Sequence, residues 1–195
     1  AKGISAQIKN ILQNSIRHHA DYMFACSKLA GIWLFGEEAT KSDGFYLFNN
    51  AIESKKFIFN SEIRNQMRDE LDIKNKFVVG HVGRFHPQKN HEFLLEIFNS
   101  IKQKVENAVL LLVGDGELRN HILNKAELMG IRDDVIYLGV RSDISDLYQA
   151  MDVFVFPSNY EGLGIVAVEA QASGLSTFVS SKVVPDEAKV SPLMH

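Results

Sequence analysis

A chain of 195 residues with 46% hydrophobic residues is long enough to bury one core, or one core and part of a second. Its formal net charge of −3, with no long basic run, excludes the electrostatic footprint of a nucleic-acid binder. The longest apolar stretches, such as 109–113, are strand-length rather than membrane-length, and Cys26 has no second cysteine to pair with, so the expectation is a globular, cytoplasmic protein.

Apolar residues at Ile4, Ile8, Ile11, Leu12 and Ile16 recur at helical spacing and predict an amphipathic helix. Tyr22 to Ala25 reads as a short buried strand, Ser27 as a helix N-cap, and Gly36 as the stop of a helix whose Trp33 and Phe35 should be core. Phe45 to Phe48 is another short strand, and the polar run through Asn49, Asn50, Glu53 and Lys56 marks a linker. A charged helix over about 61–71 follows, which places a domain boundary between residues 60 and 61.

From Lys76 the order becomes regular, with apolar strands near 77–82, 108–113, 134–138, 153–156 and 176–180 separated by segments of helical period. Strands that are apolar at every position, as in 109–113 and 153–156, must be covered on both faces, which a parallel sheet flanked by helices provides. The fold class is therefore α/β, a Rossmann-like doubly wound parallel sheet. Phe93, Leu94, Ile97, Phe98 and Ile101 form one apolar helix face behind an Asn90 cap, and Leu118, Ile122, Ala126 and Met129 form another. Sheets of this kind bind ligands beyond the C-terminal ends of their strands, so the loops there hold the candidate site.

In the first of these loops, running from Gly83 to Asn90, Arg84 can grip phosphate oxygens with a planar fork and Lys89 can add a compact charge beside a helix N-terminus. Both are equally consistent with solvated loop cations. In the loop after strand 153–156 and the breaker Pro157-Ser158, Glu161 and Glu169 stand eight residues apart, and the backbone of Gly162, Leu163 and Gly164 can approach a phosphate closely. Two carboxylates suit sugar and ribose hydroxyls, although a surface Glu161 and a hydrogen-bonded structural Glu169 fit the pattern as well. Gly114-Asp115-Gly116 reads as a tight turn, because Arg119 occupies the last glycine position of a dinucleotide fingerprint. Gly139-Val140-Arg141 can offer main-chain groups to a base, or simply turn into a helix begun by Ser142. No histidine pair has metal-ligand spacing, so no metal is expected.

Taken in order, Gly83-Arg84, Lys89-Asn90, Gly114-Asp115-Gly116, Leu138-Gly139, Pro157-Ser158 and Glu161 with Glu169 resemble family 4 of the retaining glycosyltransferases of GT-B architecture. The resemblance is closest to the EpsF-like members of exopolysaccharide and capsule clusters. It implies that 61–195 is the C-terminal nucleotide-sugar-binding domain, truncated at its end, and 1–60 the tail and linker of an N-terminal acceptor domain. The rest of that domain is expected in cis in a longer protein.

It further implies that Arg84 and Lys89 bind the donor diphosphate, Glu161 the transferred sugar and Glu169 the ribose, with Gly114, Val140, Gly162, Leu163 and Gly164 also lining the nucleotide. The donor would be a nucleoside-diphosphate sugar, UDP-sugar favoured, with no metal or other cofactor. The acceptor would be a saccharide or lipid-linked saccharide, reached by peripheral association with the inner membrane face. Ser176-Thr177 departs from the proline and apolar residue usual there, and the missing acceptor-side groups leave this piece alone inactive. A non-catalytic nucleotide-sugar-binding module and, more remotely, an epimerase of the same architecture are the competing readings.

Overall fold

The computed structural model describes Ile16 and residues 19–195, so the amphipathic helix expected over 4–16 falls outside the described residues except at its last position. Two compact units divide between Ala51 and Ile52.

In the first unit, β1 (Met23–Ala25) pairs in parallel with β2 (Phe45–Leu47), and α1 (Lys28–Phe35) runs between them. Ser27 caps α1 as its sequence position predicts, its Oγ accepting from the Ala30 amide at 3.0 Å, and Gly36 at φ 88° ends it. Two expectations fail here. Trp33 is 63% exposed while Phe35 is buried, because two helical steps place them on opposite faces and only the face with Gly31 and Phe35 meets the sheet. The strand expected to be buried has only Met23 inside; Phe24 stacks on Tyr46 with ring centroids 5.6 Å apart on the open face of the two-stranded sheet.

The second unit begins with a 3-10 turn at Ser54–Phe57 and α2 (Ser61–Glu70), capped by Asn60, whose Oδ1 accepts from the Glu62 and Ile63 amides. The alternating series then follows: β3 (Phe77–Val82), α3 (His91–Lys102), β4 (Ala108–Val113), α4 (Arg119–Leu128), β5 (Val135–Tyr137), α5 (Ile144–Ala150), β6 (Val153–Phe156), α6 (Ile165–Ala172) and β7 (Ser176–Val179). The five strands are parallel throughout, in the order β5-β4-β3-β6-β7. Residues 193–195 lie alongside β7, with Thr177 and Val179 donating to the Leu193 and His195 carbonyls.

The all-apolar strands are covered as their composition requires. Val79, Leu110 and Leu112 meet Leu94, Leu95 and Phe98 of α3 and Ile122 and Ala126 of α4 in one cluster. Each of these side chains larger than alanine contributes about 1.5–3 kcal/mol on leaving water. Phe93, expected on the buried face of α3, sits at its margin and is exposed, and Leu95 is buried instead. Asn90 does not cap α3 with its side chain: its backbone is left-handed, at φ 54° and ψ 46°, which Asn tolerates better than most residues. The helix expected from Ser142 starts at Ile144, with Asp143 at the cap position accepting through its carbonyl while its carboxylate is held by the Arg141 fork.

α2 is fastened to the sheet by charge. Asp152, just before β6, accepts from Arg64 at 2.5 Å, from Arg68 at 3.2 Å and from the Val78 amide at 2.8 Å, while Arg64 also donates to the Gln149 and Met151 carbonyls. Gly80 of β3 lets the Met151 side chain pack close: a Cβ there would stand 2.0 Å from Met151 Sδ and force that side chain to move.

Candidate functional site

Strand order reverses between β3 and β6, whose outgoing connections travel to opposite sides of the sheet. The carboxyl ends of such a pair leave a crevice, because their two loops diverge. Here those loops are 83–90 and 157–164, and they are joined across the crevice. The Asn159 amide donates to the Gln88 carbonyl at 2.8 Å, Asn159 Nδ2 donates to the Pro87 carbonyl at 2.8 Å, and Gln88 Nε2 donates to the Tyr160 carbonyl at 3.0 Å.

On its other side, loop 83–90 is laced to the Gly114-Asp115-Gly116 turn. Phe85 donates to the Asp115 carbonyl and receives from the Leu118 amide, both at 3.0 Å, and Gly114 in turn donates to the Gly139 carbonyl at 2.8 Å. Gly114 is obligatory: at φ 128°, a Cβ would fall 2.1 Å from the Gly83 carbonyl oxygen.

Within this frame Lys89 and Glu161, 72 residues apart in sequence, form an ion pair of 2.7 Å. The Lys89 side chain is 16% exposed and that of Glu161 only 6%, and the ammonium lies 4.5 Å from the centre of the Phe156 ring. Removing either partner from so enclosed a pair strands a charge, at a cost of about 3–5 kcal/mol. Arg84 lies on the same loop but is exposed, and borders a recess of 130 Å³ with Phe85, His86 and Glu117.

The two glutamates take different partners. Glu169, the fifth residue of α6 and so a little over one turn from its start, accepts from the Tyr148 hydroxyl at 3.0 Å. Burial raises its carboxyl above the ordinary range, and the Tyr148 hydrogen bond opposes that rise. Gly164 initiates α6 in a left-handed conformation, Leu163 is buried beside it, Gly162 is exposed, and Val140 is 79% exposed at the end of its turn.

Below the loops lies a pair of buried histidines that sequence spacing does not reveal. The Val155 carbonyl can only accept, so His81 Nδ1 carries the proton in their 2.8 Å hydrogen bond. His91 stacks on Phe85 at 4.2 Å and meets His81 edge-on at 4.7 Å. His81 Nε2, both His91 nitrogens and Ser158 Oγ are buried without hydrogen-bond partners. Desolvation lowers His81 to about 4 and His91 to about 2, and the charge of Lys89 adds to both shifts. Among the described residues no group of three or more His, Cys, Asp or Glu stands together to hold a metal, and no helix is long and apolar enough to cross a membrane.

Four contributors had no signal of their own in the sequence. Phe156 reads as strand core, Tyr148 as helix interior, and Gln88 and Asn159 as ordinary loop polar residues; each matters through a partner on another element.

A family model described as glycosyl transferases group 1 matches residues 63–188, a span that takes in every site residue described above. The chain belongs to the glycosyl transferases group 1 family. Among its relatives, it is 36% identical over 174 residues to the putative glycosyltransferase EpsF of Bacillus subtilis, covering 89% of this chain and 45% of that protein. It is 39% identical over 111 residues to UDP-Gal:alpha-D-GlcNAc-diphosphoundecaprenol alpha-1,3-galactosyltransferase of Escherichia coli, covering 55% of this chain and 29% of the enzyme. In fold it resembles Anabaena HepE, solved in complex with UDP and glucose, with a TM-score of 0.80 and 24% identity over 91% of this chain and 49% of that one. The chain thus spans less than half the length of these proteins.

Proposed function

We propose that this chain is the donor-binding half of a glycosyltransferase that moves a hexose-type sugar from a nucleoside-diphosphate sugar to a saccharide or lipid-linked saccharide, with retention of configuration, in the synthesis of exopolysaccharide, capsule or another cell-surface glycan. The observation that carries the reading is the enclosed Lys89–Glu161 pair at the mouth of the β3/β6 crevice, on two loops already tied together. A cation and a carboxylate side by side match the two chemistries of a sugar diphosphate, anionic at one end and hydroxyl-rich at the other.

In this reading Arg84 and Lys89, with the N-terminus of α3, hold the diphosphate and neutralise the charge that grows on it as the glycosidic bond breaks. These cations, in this reading, take the place of a metal ion in that step. Glu161 orients the sugar through its hydroxyls, Glu169 reaches the ribose, and the main chain around Gly114, Val140 and 162–164 receives the base and phosphates. UDP is the favoured base carrier, in keeping with the names of the E. coli relative and of the HepE complex. The acceptor is bound by the remainder of a longer protein, working at the inner face of a membrane.

The test is a thermal-shift titration with UDP, GDP, ADP and their common sugar conjugates, first without metal and then with magnesium. A ligand that binds only the folded state must raise its stability, by about 2.7 kcal/mol at a hundredfold excess over Kd. A metal-independent rise with one nucleotide series is expected. No rise with any of them overturns the reading.

A further inference from the structure

Lys89 and Glu161 are assigned above to two different parts of one donor, yet in the structure each holds the other. The Lys89 ammonium donates to Glu161 Oε1 at 2.7 Å and rests against the Phe156 ring. Neither group has wide access to water that could replace the contact, since the side chains are 16% and 6% exposed. The loops that carry them are fixed together by the Asn159 and Gln88 hydrogen bonds, so the pair cannot loosen by the loops drifting apart. A diphosphate arriving at Lys89 meets a carboxylate already in place, and two anions around one enclosed ammonium repel each other strongly.

We propose that the Lys89–Glu161 ion pair is a latch that the intact donor opens and the spent diphosphate opens only at a cost: the diphosphate takes over the Lys89 ammonium, and the released Glu161 carboxylate turns to the hydroxyls of the sugar. This rests on the donor-binding reading and adds a direction to it. A sugar nucleotide supplies a new partner to both halves of the broken pair. A bare nucleoside diphosphate supplies one only to Lys89 and leaves an enclosed carboxylate without a partner. The pair therefore favours the substrate over the product that must leave, and Glu161 sets that preference.

The consequence has an unusual sign. A residue that merely contacts the donor weakens binding when neutralised, whereas Glu161→Gln removes the latch and should tighten the bare diphosphate. The experiment is calorimetric titration of UDP, GDP and ADP, and of their glucose conjugates, into the chain and its Glu161→Gln, Lys89→Met and double variants, each titrated well below its own, lowered melting transition. Glu161→Asp, which withdraws the carboxylate by one methylene, is the second variant should Glu161→Gln fail to fold.

The expected result is a 3- to 10-fold gain for the bare diphosphate in Glu161→Gln, no such gain when the same change is made on top of Lys89→Met, and a fall in the preference for sugar nucleotide over diphosphate. The Lys89→Met background separates the latch from simple repulsion, because repulsion between Glu161 and the ligand would persist there. Unchanged or weaker diphosphate binding in Glu161→Gln, or an equal gain in the Lys89→Met background, overturns the latch while leaving donor binding intact. If the unsubstituted chain binds none of the nucleotides, the donor-binding reading falls and the latch with it.

Discussion

Arg84 differs from Lys89 in being exposed, at the edge of a recess rather than inside an ion pair. Its planar fork is free to close on phosphate oxygens, a bidentate contact that no other side chain of its loop can make. Arg84→Ala is expected to weaken nucleoside-diphosphate binding by about 1.5–3 kcal/mol with little change in stability, and unchanged affinity in calorimetry would contradict its assignment to the diphosphate. At this scale the sequence shows which chemistries are present but not who meets whom. Spacing sets Glu161 and Glu169 eight residues apart in one motif without showing their partners, which in the structure are Lys89 for the first and Tyr148 for the second. Neither partnership leaves a local trace, because a contact between residues 72 positions apart depends on strand order, which no local window contains.

Elements were far more legible, for a physical reason. β4 and β6 match their expected bounds because strands covered on both faces are apolar at every position, and β3 matches although Gly80 and His81 interrupt its apolar run. β5 is shorter than expected at both ends, and the cap of α3 was misread because Asn at a helix start can serve by its left-handed backbone as well as by its side chain. What no pattern disclosed is how α2 is attached. Its mostly polar surface docks through Arg64 and Arg68 onto Asp152, with Arg68 only 8% exposed at the side chain. Asp152→Ala would leave that guanidinium buried without its carboxylate and take an acceptor from the Val78 amide. A loss of about 3–5 kcal/mol is expected in urea unfolding, as for breaking a buried rather than a surface ion pair.

For the molecule as a whole, the buried histidines tie stability to pH. His81 and His91 titrate at about 4 and about 2 in the folded protein, against an ordinary 6.5, so below pH 6.5 the unfolded chain binds protons that the native one does not. Stability is therefore full at neutral pH and falls as pH drops, by up to about 1.4 kcal/mol per pH unit for each ring. Glu92 and Asp143, lowered by Lys125 and Arg141, act in the same direction but only from the carboxylate range downward, while Glu169, raised by burial, opposes. In the interval from pH 6.5 to 5 both histidines act together, with Glu169 opposing them. Urea unfolding across it should show a steep decline, roughly halved in His91→Phe, which keeps the stacking on Phe85; an equal slope in that variant would contradict the assignment.

The hydrogen bonds from Asn159 and Gln88 that bind loop 83–90 to loop 157–164 have a kinetic side. Fixing a loop residue costs about 1–2 kcal/mol of backbone entropy, and here that cost falls on folding rather than on the encounter with a ligand. These two segments act as one mechanical part: their amides should exchange with solvent in a single concerted opening, and capture of a ligand need not wait for one loop to find the other. What remains to move during each encounter is a pair of side chains, a motion many times faster than the closing of a lid.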